Sequence, residues 1–304
     1  MALGVTSLAV WLAVIGLQAL TPGHELWQAL TVAQSRMVGP VLLLVVVAVF
    51  LAERRWPAVP RPALARAHLV DAGYLVLFAV VGPFVTLLNT GFAVTVERHA
   101  HFLMLGRLPL VPQVLVVAVI VVGIDAMNWV AHVANHRSAP LWRFHALHHS
   151  QEDMSVLTTF RTHPLAHASY LPALIPALVL EASGTVPAAG LIAYGCFVTL
   201  PHANLRWTFG PLGKILVSPA YHRLHHASSP VEGRGAVNFG FVLACWDRLA
   251  GCAVHPSRTE PVATGIAGRS VPIEQTAPPS GVVRVVVAQL LQPFRIRAAT
   301  DGRP

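Results

Sequence analysis

The sequence predicts an all-α integral membrane protein. Its expected form is a helical bundle of about four transmembrane helices plus a membrane-dipping helical hairpin, with a cytoplasmic histidine-rich helical cap. Three observations carry this. Hydrophobic residues make up 55% of the 304 and charged residues 11%, against about 25% charged in a typical soluble domain. Apolar stretches recur with lengths near the roughly 20 residues that cross a bilayer core. Eight of the sixteen histidines fall into three short motifs at helical spacing.

The elements follow in order. Residues 3–21 form the first apolar stretch. Its N-terminus lacks the Lys or Arg of a signal peptide, which predicts a retained first membrane helix. Further stretches cover 37–52, 68–94 and 108–133. The fifth runs from Leu165 to Leu200 and is broken at 181–187 by Glu181, Ser183, Gly184 and Pro187. Its halves, about 15 residues each, are short for a span at 1.5 Å per residue, so the pattern predicts a hairpin that enters the membrane and returns on the same side. Beyond residue 253 the chain is rich in Pro, Gly and Ser and reads as an extended tail. An apolar, Arg-containing segment at 282–297 would lie on the membrane surface or pack on the body. The expected organisation is 1–107 N-terminal helices and loops, 108–253 catalytic domain and 254–304 tail.

Charge placement orients the bundle. Arg54, Arg55, Arg61 and Arg66 crowd the 53–67 loop, while 22–36 carries Arg36 and 95–107 carries Arg98 and Arg107. Arg137, Arg143 and Arg161 add to the first side, which the positive-inside rule makes cytoplasmic, together with the N-terminus and everything after about residue 132. The net charge of +8 does not indicate nucleic acid, because the arginines flank apolar segments instead of forming a stripe; anionic headgroups are the expected counter-charge. Cys196, Cys245 and Cys252 form no CxxC and give neither a disulfide framework nor a thiolate zinc site.

The histidines carry the chemistry. His132 and His136 form HxxxH; His145, His148 and His149 form HxxHH; His222, His225 and His226 form a second HxxHH. Residues at i, i+3 and i+4 share a helix face with Cβ atoms about 5–6 Å apart, close enough for two imidazoles to hold one ion. In each HxxHH two histidines can share an ion while the third turns to a neighbour. Eight imidazoles exceed one tetrahedral ion and suit two. His24, His68, His99, His101 and His255 stand alone and read as ordinary polar residues. Asp125 lies two helical turns before His132, on the same face. Buried in an apolar helix it needs a partner, and accepting the free N–H of a ligand histidine would fix that ligand's tautomer. Asp247 can do likewise or anchor an arginine.

The pattern D-x6-H-x3-H-x8-H-x2-HHS, then R-x-HP, H-x-N, SP-x2-H-x2-HH and finally WDRLAG, over residues 125–251, resembles the fatty acid hydroxylase/sterol desaturase superfamily. The resemblance implies an integral membrane non-haem oxygenase with a histidine-rich centre of two iron ions, sites that zinc can also occupy. It implies O2 as co-substrate and hydroxylation or desaturation of an unactivated C–H bond in a sterol, fatty acyl chain, carotenoid or similar lipid. Carried over position by position, it gives His132, His136, His145, His148, His149, His202, His222, His225 and His226 as metal ligands. His163 would be a tenth ligand or a support for one, and Asp125, Asn204 and Asp247 would hold ligands in place.

No haem, iron–sulfur or nucleotide motif is present, so electrons must come from a separate ferredoxin, cytochrome or reductase. The competing class is a membrane metal-binding or transport protein. That would string ionisable ligands along a transmembrane path, whereas these cluster at one predicted face.

Overall fold

The computed structural model describes residues 39–62, 65–181, 186–256, 261–267 and 281–294. The first predicted span, 3–21, and most of the hairpin tip lie outside the described residues. Helix α1 is Gly39–Arg55 and α2 is Arg66–Ala100. A short strand β1 (Gly106–Arg107) precedes α3 (Gln113–Arg137), and a single extended residue, Ser138, separates α3 from α4 (Ala139–His149).

Then come a 3-10 segment (Pro164–Leu174), helix α5 (Ile175–Val179), strand β2 (Leu180–Glu181) and helix α6 (Val186–Thr199). Helices α7 (Pro219–His225), α8 (Cys245–Leu249) and α9 (Val282–Leu291) complete the order. The architecture is mainly helical, as the composition predicts.

The four-span expectation is not matched among the described residues. One helix, α3, is alone long and apolar enough to cross a membrane, and only a third of its most apolar window is buried in the protein. A core helix of a soluble protein would be mostly covered; here Val114, Leu115, Val119, Val122 and Val130 face outward. Helix α2 passes the same test only as two segments, Arg66–Gly82 and Phe84–Leu103, bent by 46°. Pro83 stands at the break, where a proline removes a backbone donor and kinks a helix. Thr86, Thr90 and Thr95 satisfy their hydroxyls by donating to carbonyls four residues back, at 2.7–3.0 Å. Helix α1 covers 17 described residues, the lower end of the range for a span.

Both halves of the predicted hairpin pack on α3, through Ala173, Ala177, Leu191 and Tyr194, and the first half departs from the expected α-helix. That half carries Pro164, Pro172 and Pro176 and adopts 3-10 geometry for eleven residues. A 3-10 turn rises about 2.0 Å per residue against 1.5 Å for an α-helix. The half therefore reaches further than its length suggests, and its end arrives at the loop before α3. There Gly106 and Arg107 pair in parallel with Leu180 and Glu181, and the Arg107 Nε meets Glu181 Oε1 at 3.2 Å. Close packing against α3 depends on two glycines: a Cβ at Gly123 would lie 2.9 Å from Pro176, and one at Gly190 2.5 Å from Val117.

Two apolar clusters hold the body. Val116, Val117, Ile120, Ile124 and Ala173 join α3 to the hairpin. Val46, Val70, Tyr74, Leu147, Val156, Phe160, Val285 and Val286 join α1, α2, α4 and α9. Helix α9 thus packs on the body, through Val285, Val286 and the Tyr74 hydroxyl on Gln289 at 2.9 Å. The tail is not wholly extended: Ser228 N–H donates to Ala263 O, Gly265 N–H to His226 O, and Thr264 Oγ1 to Glu152 O. Arg161, counted among the orienting charges, is buried against Asp71 and carries no such weight.

Candidate metal centre

The C-terminal end of α3 delivers His132 and His136. Ser138 and Pro140, at the first turn of α4, reverse the chain, so α4 returns His145, His148 and His149 over the same spot. The hairpin then leads to a 3-10 turn, Leu200–His202, that places His202. The SPAYH stretch is a helix start. The Ser218 hydroxyl accepts the Tyr221 N–H at 3.2 Å and Pro219 occupies the first turn, which sets His222, His225 and His226 in register.

All nine histidines are buried and form two groups. His132, His136, His145, His149 and His225 make one; His148, His202, His222 and His226 make the other. In each group the candidate ligand nitrogens lie within 4.8 Å of one another. Both HxxHH motifs divide in the same way: the i and i+4 histidines stay together and the i+3 histidine crosses over. Thus His148 leaves His145 and His149, and His225 leaves His222 and His226. The groups adjoin, with the His149 and His226 rings stacked 4.3 Å apart.

The nitrogen geometry fits metal ions. His202 Nε2 lies 3.0 Å from both His148 Nε2 and His222 Nε2, and His222 Nε2 lies 3.2 Å from His226 Nε2. In the first group His225 Nε2 and His149 Nε2 are 3.1 Å apart. Two nitrogens each about 2.05 Å from one ion, at a right angle, would stand about 2.9 Å apart. His132 Nε2 and both nitrogens of His136 and His145 are buried with no protein partner, a costly arrangement that a cation would relieve.

The imidazoles are held neutral, as ligation requires. Burial, reinforced by neighbouring imidazoles, holds His145, His149, His222, His225 and His226 well below the ordinary histidine value. Burial lowers His148 to about 3.

Tautomers are fixed by acceptors. The Val237 carbonyl lies 2.7 Å from His225 Nδ1 and the Phe239 carbonyl 2.8 Å from His132 Nδ1. A carbonyl only accepts, so each Nδ1 carries the proton and each Nε2 presents its lone pair. Thr159 Oγ1 donates to Thr199 O and so accepts from His202 Nδ1 at 3.1 Å. Rings of Phe239, Phe241 and Trp142 pack against the five-histidine group; Trp142 lies 5.0 Å from His136 and 5.4 Å from His149.

The other expected residues land elsewhere. His163 joins neither group: its Nδ1 accepts the Leu165 N–H and its Nε2 meets Leu290 O at 3.1 Å, so it starts the hairpin and buttons α9 to the body. Neither carboxylate reaches an imidazole. Asp125 accepts from Val242 N, Leu243 N, Trp246 Nε1 and the Tyr194 hydroxyl, and these bonds use up its oxygens. Asp247 accepts from Phe239 N, Gly240 N, Trp129 Nε1 and the Tyr221 hydroxyl. Both tie the 237–247 loop to the histidine-bearing helices. Asn204 bonds Val59 through both side-chain atoms and accepts from Arg223 NH2 at 2.9 Å.

Sequence reasoning missed Thr159, Trp142, Glu53 and Asp71. Glu53 Oε1 accepts from Val156 N at 2.7 Å and Asn204 N at 2.8 Å.

A helical domain whose ends and turns converge nine imidazoles is the histidine-centred class that the motifs imply. Residues 117–252 match the fatty acid hydroxylase family model. The ornithine lipid hydroxylase of Rhizobium tropici is 32% identical over 76% of this chain and 65% of its own length. Alkylglycerol monooxygenases of Caenorhabditis elegans and Homo sapiens are 28% and 29% identical over 41% and 42% of this chain, covering 24% and 28% of theirs. The chain thus spans just under two thirds of the first relative and about a quarter of the others. No solved structure matches.

Proposed function

We propose that the protein is a membrane-bound, O2-dependent non-haem lipid hydroxylase with two iron ions, one in each imidazole group. The observation that carries the reading is the two buried groups of five and four imidazoles inside the segment that matches the fatty acid hydroxylase family model. Bound iron would supply activation of O2 and cleavage of an unactivated C–H bond. The balance is R–H + O2 + 2 electrons + 2 protons giving R–OH + H2O.

The chain's own residues supply ligation, orientation and exclusion of water. Nine neutral imidazoles hold the ions without carboxylates. Val237, Phe239 and Thr159 aim three of them, and Phe239, Phe241 and Trp142 keep water off the first group. Both groups sit at one end of α3 and not along it, which favours an oxygenase over a transport path. The relatives' names, ornithine lipid hydroxylase and alkylglycerol monooxygenase, support a substrate with an alkyl or acyl chain and a polar head. The length and apolar, uncovered surface of α3 support a membrane location, and the arginine distribution supports a cytoplasmic side for the histidines.

Electrons come from a separate acidic carrier. Arg137 and Arg143 are exposed and form no ion pair among the described residues. They flank the buried Trp142, which packs on His136 and His149.

The test is comparative lipidomics under 18O2 of cells making the intact chain or the His148→Ala and His225→Ala variants. An 18O-labelled hydroxylipid only with the intact chain is expected. An unchanged lipid profile in all three would remove the proposal's support.

A further inference from the structure

We propose that Asn238 and Asp247 are positioning residues for the five-imidazole group. Together they shape a cradle, 237–240, that fixes the tautomers of His225 and His132. The inference rests on the reading that the two groups hold metal ions, and it predicts that one ion can be loosened without the other.

The cradle begins with an unusual backbone. Asn238 has φ of 60°, in the left-handed region, which asparagine tolerates better than bulky residues. Its side chain locks the conformation with three bonds. Nδ2 donates to Tyr221 O at 3.0 Å and to Val254 O at 2.8 Å, and Oδ1 accepts from Val254 N at 2.7 Å. Asn238 is fully buried, and its flanking residues present the carbonyls that His225 and His132 meet.

Asp247 clamps the other end. One oxygen takes the Phe239 N–H at 2.8 Å, the other the Gly240 N–H at 2.9 Å. Gly240 permits this approach, since a Cβ there would lie 2.8 Å from Leu243 O and 3.1 Å from Asp247 Oδ2. The same carboxylate holds Trp129, one turn before His132 on α3, and Tyr221, beside His222 on α7. The cradle is therefore registered to both helices whose histidines it orients.

The four-imidazole group is supported differently. Thr159 holds His202, and no carbonyl of the cradle bonds His148, His202, His222 or His226. Partners that orient metal ligands typically change affinity by about 10–100-fold when removed. That effect should fall on the five-imidazole ion.

The experiment titrates the detergent-purified full chain with cobalt(II) against a chelator, reading metal per chain and the cobalt absorption bands. The intact chain should bind two ions. Asn238→Ala and Asp247→Asn should each weaken one ion at least tenfold and leave the other's affinity and bands unchanged. Asn238→Gly, which keeps the backbone conformation available, should lose less than Asn238→Ala. Thr159→Val should weaken the opposite ion. Two ions of unchanged affinity in Asn238→Ala would overturn the proposal. So would parallel weakening of both ions with loss of helical circular dichroism, which marks a purely structural role. An intact chain that takes up no cobalt would show the failure earlier, in the metal reading itself.

Discussion

The Arg161 guanidinium donates to the Asp71 carboxylate at 3.0 Å, and both side chains are wholly buried directly behind the turn that carries His148 and His149. Arg161 also reaches Leu147 O and Ser150 Oγ at 3.0–3.3 Å. Gln151 and Thr158 complete the contacts of Asp71. The pair thus fixes the C-terminal turn of α4 to α2. Asp71→Leu or Arg161→Met alone strands a buried charge and should cost about 3–5 kcal/mol. The double variant should recover part of that loss. Unfolding in detergent, measured by circular dichroism, checks both outcomes.

Removing one imidazole from either group should abolish turnover. His148→Ala and His225→Ala delete ligands from the four- and five-imidazole groups respectively. Each should lower product formation by at least about a hundredfold, taking the loss seen for outer partners of ligands as the lower bound. Metal analysis should show the two variants depleted of different ions.

Acid should destabilise the metal-free protein. His148, lowered to about 3, and the still-buried His145, His149, His222, His225 and His226 bind no proton in the fold where the unfolded chain, with histidines near 6.5, does. Protons therefore favour the unfolded state. Stability should be full above pH 6.5 and fall below it, by about 1.4 kcal/mol per pH unit for each histidine so affected. For His148 the fall continues to about pH 3. Melting temperature of the apo protein from pH 8 to 5 measures this; a flat profile would contradict it.

Electron delivery should depend on charge. If an acidic carrier lands between Arg137 and Arg143, reduction of the loaded enzyme slows as salt rises and slows strongly in Arg137→Glu/Arg143→Glu. Stopped-flow reduction with a purified carrier reads both effects, and a salt-independent rate would argue against this site.

Eight of the nine clustered histidines were legible because helical spacing and motif order act locally; His202 came only with the family pattern. Their division into five and four was not legible in full: spacing shows that one histidine of each HxxHH can turn away, but the partner it meets comes from a helix some 75 residues distant. Asp125 and Asp247 illustrate a second limit. The burial of Asp125 was readable, but not that backbone amides and indoles, rather than imidazoles, would fill the oxygens of both carboxylates. The described residues bear out one span, α3, and a bent second candidate in α2, because an apolar count gives neither the bend near Pro83 nor the 3-10 rise of the Pro164–Leu174 segment. Glu53 and Asp71 escaped because they lie outside the histidine motifs, on helices whose apolar pattern says only that they are buried.

Glu53 gives the last prediction. A single carboxylate oxygen accepts both the Val156 N–H, before the Thr159 segment, and the Asn204 N–H, two residues past His202. Both donors belong to stretches that place and orient His202. Glu53→Ala leaves two buried amides without an acceptor, at about 1–3 kcal/mol each, and should weaken the four-imidazole ion while sparing the five-imidazole one. Glu53→Gln keeps a carbonyl oxygen in the same place and should restore most of the stability and the affinity. Equal cobalt affinities in Glu53→Ala and the unaltered chain would show that the 203–204 turn holds His202 without this carboxylate.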